Sequence, residues 1–291
     1  MHDSALNLTP LLHELGHFVD FDREIYKRVL PIDIAHSKAS KTLVNSLVRR
    51  GSPEQEVYAL CKDIVRKWVQ ELIADLFAIR LAGPAYFYAF VIYAANIGLD
   101  TEAAVSHPSP VIRIDLMLEE LGELGYLLKT SPRAIRSSLQ RWKRWIRRRK
   151  LEPEDPFMHL AFLAIKDNSA KLARSVRKNA SPRPYGTQAY KENVPGLVAD
   201  LEEGIPPIDR LDAEGGRYVP SDFVDVLNCA WSAYMFSMNK LEDLIECKPE
   251  DKRRMAVRTL NDLVLKAVEA SEILRKCQAL PGEKPWPSSP N

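Results

Sequence analysis

The chain has 291 residues, 46% of them apolar and 27% charged, with a net charge of +2. This is the composition of a globular chain with room for one large domain or two smaller ones. Near-neutral charge argues against global attraction to nucleic acid. Four cysteines (Cys61, Cys229, Cys247 and Cys277) are far apart and form no CxxC pair, which suits free thiols in a reducing compartment rather than a disulfide framework. The opening MHDSALNLTP has neither a basic start nor an apolar core, so no signal peptide is read and a cytoplasmic location is expected.

Thr9 and Pro10 read as the cap and first residue of an apolar helix running to about Asp20. Inside it stands His13-Glu14-Leu15-Gly16-His17. Residues i and i+4 share a helix face, so both imidazoles can reach one metal ion, with the Glu14 carboxylate beside them to take a proton from metal-bound water. Gly16 costs a helix about 1 kcal/mol against Ala, which makes sense if another backbone or the metal site comes close. HExxH arises by chance in about 1% of chains this long, so the rest of the chain must supply what two histidines lack.

A loop-rich connection with short helices is expected up to Gly51. Ser52 and Pro53 then open a long helix reaching Leu81. Its inward stripe is Ile64, Trp68, Glu71, Asp75 and Ala78. Two acids on an otherwise apolar stripe must be paired or metal-bound, because burying an unpartnered carboxylate is expensive. Glu71 is therefore the candidate third ligand for one zinc ion, and Asp75 the acceptor for the ring N–H of a ligand histidine. The competing reading pairs these acids with Arg80 or Lys67.

Leu81–Leu99 carries no charge over nineteen residues. Gly83-Pro84 should end one helix and open another, leaving a stretch too short to span a bilayer. It reads as a buried core helix over Pro84–Asn96. Pro108 and Pro110 open a helix lasting to about Lys129. From Arg133 to Lys150 there are nine basic residues and no acid, with Trp142, Trp145 and Ile146 interleaved. This segment could grip nucleic acid, an acidic partner or a membrane surface; the blander reading is a solvated face whose tryptophans dock on the core.

Composition changes at Leu151–Pro156, which places a domain boundary near residue 150. Beyond it, helices are expected near Phe157–Asn179, Val194–Glu203, Ser221–Cys247 and Pro249–Gln278, the last two pairing as a hairpin, with a Pro/Gly-rich loop over 204–220. The expected organisation is a zincin-like domain over 1–150, a helical accessory region over 151–280 and a disordered tail over 281–291. The fold class is mainly α with little or no sheet. His2, His36 and His159 stand without metal-like partners.

His13-Glu14-Leu15-Gly16-His17 followed by Glu71-Leu72-Ile73-Ala74-Asp75 resembles the gluzincin metallopeptidases, and its ExxAD form is most similar to the CAAX prenyl protease and related families. His107-Pro108 with Arg113 is similar to a third element of those families. The resemblance spans residues 9–118. It implies a zinc peptidase with His13, His17 and Glu71 on the metal, Glu14 as general base, His107 stabilising the oxyanion or positioning substrate, and Arg113 bracing the third element. Zincins ordinarily place a β-sheet before the motif helix, its edge strand holding the peptide. With a dozen residues before His13, the resemblance implies an N-terminally shortened copy or a substrate held in another way. Membrane spans of the prenyl protease kind are not expected, so prenylated substrates are not implied. The alternative function is a non-catalytic, zinc-stabilised helical module that binds a protein or nucleic acid through residues 133–150.

Overall fold

The computed structural model describes residues 5–29, 32, 34, 35, 37–179, 183–211 and 218–278. The expected tail over 281–291, and His2 and His36, lie outside the described residues. The described chain is mainly helical, as its composition and periodicity predict. It forms two bodies, one of residues 10–184 and one in which residues up to Thr9 join those from Tyr185 onward.

The body of residues 10–184 is built from eight helices among its described residues: α1 (Leu11–Arg23), α2 (Ile25–Val29), α3 (Lys38–Arg49), α4 (Glu54–Ala82), α5 (Pro84–Ile97), α6 (Pro110–Glu123), α7 (Arg133–Ile146) and α8 (Pro156–Asn179). Helix α4 is its spine. Every residue from Leu72 to Ile79 is buried, because α1 lies on one side of the helix and α8 on another. The core combines Ile64, Val65, Trp68, Val69, Leu72 and Ile73 of α4 with Leu160, Ala161, Ala164, Leu172 and Val176 of α8. The boundary expected near residue 150 therefore moves to Pro184. The acidic, proline-rich turn at 151–156 is a local signal, whereas the apolar face of α8 packs on α4, α3 and α2. A buried carboxylate, Glu120 of α6, ties three helices together, 2.6 Å from Arg80 of α4 and 2.7 Å from Arg177 of α8.

Gly83, at φ 56°, turns the chain from α4 into α5, and Pro84 takes the first position of the new helix. Pro84–Val91 and Ala94 are buried, so the uncharged stretch is a core helix as expected. No helix among the described residues is long and apolar enough to cross a membrane. On α7, Ile135, Leu139 and Ile146 face inward, the Trp142 ring meets Phe87 edge-on at 6.2 Å, and Trp145 carries the Arg149 guanidinium at 4.6 Å. The tryptophans are half-buried, and seven of the nine basic residues over 133–150 are exposed.

In the other body, α9 (Thr187–Glu202) is longer than the expected Val194–Glu203. Tyr190, Val194, Leu197 and Leu201 bury one stripe across Pro195, and that packing outweighs the proline. A two-stranded antiparallel ribbon, β1 (Asp209–Leu211) with β2 (Tyr218–Pro220), lies where a plain loop was expected. The helix expected over Ser221–Cys247 is α10 (Phe223–Ser232) and α11 (Met238–Asp243) joined by a π-helical segment, Ala233–Ser237. Both α10 and α11 pack on α12 (Pro249–Gln278). Thr9 does not cap α1; its hydroxyl accepts the Trp231 indole N–H at 2.9 Å.

Candidate metal centre

Leu12, Gly16 and Asp20 form the buried edge of α1 that rests on α4. A Cβ placed on Gly16 would lie 2.7 Å from the Ala74 Cα and 2.9 Å from its carbonyl oxygen. Real carbon contacts are never that close, so the two helix backbones touch at Gly16 and only glycine fits. This crossing sets the site. With Gly16 against Ala74, His13 and His17 look across at Glu71, one turn before Ala74 on α4.

The His13 and His17 Nε2 atoms are 3.1 Å apart. Glu71 Oε2 lies 3.4 Å from His13 Nε2, and Oε1 lies 3.3 Å from His17 Nε2. A tetrahedral shell with metal–donor bonds of about 2.0–2.1 Å has edges of about 3.3–3.4 Å. Each imidazole thus faces its own oxygen of the Glu71 carboxylate at about the length of such an edge, and two imidazoles with one carboxylate are a zinc-type donor set. These three residues could hold a metal ion.

Asp75 is fully buried beneath this triangle. Its Oδ1 accepts from His13 Nδ1 at 3.0 Å, the Tyr86 hydroxyl at 2.6 Å and Arg113 Nη2 at 2.8 Å, and its Oδ2 accepts from Arg113 Nε at 2.7 Å. A carboxylate only accepts, so Nδ1 of His13 carries a hydrogen, which leaves Nε2, facing His17 and Glu71, as the nitrogen that can offer a lone pair once its own proton is lost. Arg80 and Lys67, the competing partners, bind Glu120 and Asp63 instead. The Arg113 guanidinium sits over the Phe90 ring at 4.6 Å and also reaches Glu71 at 3.5 Å.

Electrostatics follow from this packing. Burial opposes a charge on His13, but its bonds to Asp75 and Glu71 prevail and raise its pKa to about 9. Burial likewise opposes the Glu71 charge, yet His13, His17 and Arg113 pull that carboxyl down to about 2. Asp75 is held below the usual carboxylate range despite complete burial, by Arg113 first and then His13. Burial and the Asp75 charge push the Tyr86 phenol well above its ordinary value.

The site opens into a cleft of about 700 Å³ lined by His13, Glu14, His17, Glu71, Tyr86 and Arg113, among others. No protein-family model, curated protein or solved structure matches the chain. Its chemistry therefore rests on the geometry. Glu14 is exposed at the cleft, one residue from His13. His107 lies on the opposite bank, its Nε2 3.6 Å from Glu71 Oε1 and its Nδ1 2.8 Å from the Ser106 hydroxyl. That bank is braced by paired backbone bonds between Ala104 and His107 and by the Trp68 indole, which donates to the Ala104 carbonyl at 2.8 Å.

Every residue singled out in the sequence for the centre thus lies at one place: His13, Glu14, His17, Glu71, Asp75, His107 and Arg113. Sequence reasoning missed Tyr86. Its one available signal was a tyrosine in an uncharged run, whose hydroxyl needs a partner once buried. Asp20 was missed as well. It accepts the Tyr26 N–H at 2.8 Å, receiving the chain as it turns from α1 into α2. His159 packs by Phe162, ring centres 6.5 Å apart, and takes no part in the centre.

Proposed function

We propose that residues 10–184 form a zinc-dependent hydrolase of peptide bonds, with His13, His17 and Glu71 holding one zinc ion. The observation that carries this reading is the convergence of two imidazoles and one carboxylate within metal-binding reach, flanked by an exposed carboxylate that a purely structural site would not use. Bound zinc supplies a Lewis acid and a water whose pKa falls to about 7. Glu14 takes the proton from the attacking water and passes it to the departing amine, so the water's hydroxyl ends on the carbonyl carbon and its hydrogen on nitrogen. Asp75 holds His13 in the tautomer that coordinates. Arg113 and Tyr86 keep that buried carboxylate ionised and in place. His107, with Ser106 donating to its Nδ1, presents an Nε2 hydrogen to the developing oxyanion.

The test is zinc per chain by elemental analysis, with peptidase assays on wild type and Glu14→Gln. One zinc in both proteins, with a rate lowered about 10²- to 10⁴-fold in the variant, is the expected result. Zinc in both with no cleavage by wild type refutes hydrolysis and favours the zinc-stabilised binding module. Absence of zinc from both refutes either reading.

A further inference from the structure

The resemblance to zincins implies a sheet edge to hold substrate, yet the described residues of the 10–184 body contain no strand. Something else must line up a peptide beside Glu14. Helix α5 carries one continuous row of large side chains: Tyr86, Phe90, Tyr93 and Ile97, at i, i+4, i+7 and i+11. Such spacing keeps them on one face. All four line the cleft. The row begins at the candidate metal centre, where Tyr86 binds Asp75 and Phe90 underlies Arg113. Its first half is buried, Tyr86 and Phe90 being at most 8% exposed. Its second half is bare, with Tyr93 59% and Ile97 55% exposed.

The charges in the cleft sharpen this. Arg113 is the one Lys or Arg among the lining residues, and Asp75 and Glu71 already occupy it; Glu14, Glu71 and Glu102 are the lining acids. An acidic ligand finds no free lysine or arginine among these lining residues. An uncharged apolar one finds a wall. At about 1.5 Å per helical residue, Tyr93 stands about 10 Å and Ile97 about 16 Å along the helix from Tyr86. An extended peptide advances about 3.3 Å per residue. Those levels correspond to roughly three and five peptide residues from the metal centre. The facing bank, Thr101 to Pro108, is held by the Trp68 and Ala104 bonds.

Building on the hydrolase reading, we infer that Tyr93 and Ile97 form a remote apolar subsite. It recognises a large aliphatic or aromatic side chain about three to five residues from the scissile bond of an extended, non-acidic peptide. Remote binding of this kind positions substrate without touching the reacting atoms. Cleavage would then need a peptide long enough to reach the subsite.

The test separates binding from cleavage. Zinc-loaded Glu14→Gln is titrated by fluorescence anisotropy with labelled ten-residue peptides of Gly, Ser and Ala that carry one Leu or Phe moved along the chain. Affinity should peak at one or two positions. The double variant Tyr93→Ser/Ile97→Ser should weaken that peak about 10- to 100-fold while zinc content and the helical circular dichroism stay unchanged. Both side chains are exposed, so folding is spared. An Asp at the favoured position should abolish binding. Binding that ignores Leu or Phe position, or that survives the double variant, overturns the subsite. So does a double variant that changes only the oligomeric state of the chain, since the row then serves a second copy. If Tyr93-dependent binding is found but wild type cleaves nothing, the hydrolase reading fails and Tyr93 and Ile97 stand as an apolar peptide-binding site alone. If wild type cleaves peptides equally well with and without Tyr93 and Ile97, the subsite fails and the hydrolase stands.

Discussion

Replacing Gly16 with alanine tests the crossing of α1 and α4. By helix propensity alone the change should stabilise the chain by about 1 kcal/mol. The structure opposes that gain. The new Cβ would meet the Ala74 Cα at 2.7 Å, where carbon atoms ordinarily rest about 3.5–4.0 Å apart. About 1 Å must be added between two backbones, and neither can rotate away as a side chain would. Overpacking of this kind costs about 1–3 kcal/mol, so the net effect is a loss of up to about 2 kcal/mol. The candidate metal centre is more sensitive still. Moving α1 outward by 1 Å stretches the edges now at 3.3 and 3.4 Å, whereas metal–donor distances tolerate about 0.2 Å. Zinc affinity, read by competition with a chromophoric chelator, should fall about 10- to 100-fold or more. Gly196→Ala is the control: it lies inside α9 with nothing within 4 Å of its added Cβ and should melt higher than wild type. A Gly16→Ala chain that melts higher and keeps its zinc affinity would refute the close-crossing argument.

Arg113→Met should cost about 3–5 kcal/mol in urea unfolding, because it leaves the Asp75 charge buried without its main counter-charge; adding Asp75→Asn should recover much of the loss, and a single variant within 1 kcal/mol of wild type would contradict the pairing. In metal-free protein, the His13 pKa of about 9 exceeds its ordinary value of 6.5, so its contribution to stability is complete below pH 6.5 and disappears as pH rises through 9. Melting temperature of the metal-free chain should fall across that window, and His13→Gln should flatten the fall. Zinc needs the neutral ring, so uptake at pH 7 should expel about one proton, read by calorimetry in buffers of different ionisation enthalpy; zero release would count against His13 as a ligand. Cys61 and Cys229 are buried, the Cys61 thiol pushed up to about 12 by burial and the Cys229 thiol raised for the same reason. A thiol reagent at pH 8 should therefore modify Cys247 and Cys277 in the native chain and all four cysteines only in denaturant.

The candidate centre was legible because its logic is local. Two histidines one turn apart, and two acids on an apolar stripe, announce themselves through spacing and through the cost of burying charge. Gly83-Pro84 marked the turn between α4 and α5 for an equally local reason. Tyr86 was hidden because every residue around it is uncharged, and an all-apolar helix has no polar face from which to infer orientation. The boundary at residue 150 was misplaced because chain composition reports the turn at 151–156 but not that the face of α8 needs α4. The π-helical segment over 233–237 and the ribbon of three-residue strands left no trace in the periodicity, since each is shorter than the window in which a period can be seen.

The burial of α4 from two directions has a consequence for synthesis. The last candidate donor, Glu71, and its support Asp75 leave the ribosome about 100 residues before α8 is complete. At about 5–20 residues per second, the apolar side of α4 bearing Ile64, Val65 and Val69 waits roughly 5–20 s for its cover. Arg113, which compensates Asp75, arrives partway through that interval. The nascent chain thus exposes an apolar face of α4 until α8 arrives, and that interval is when chaperones have a surface to hold.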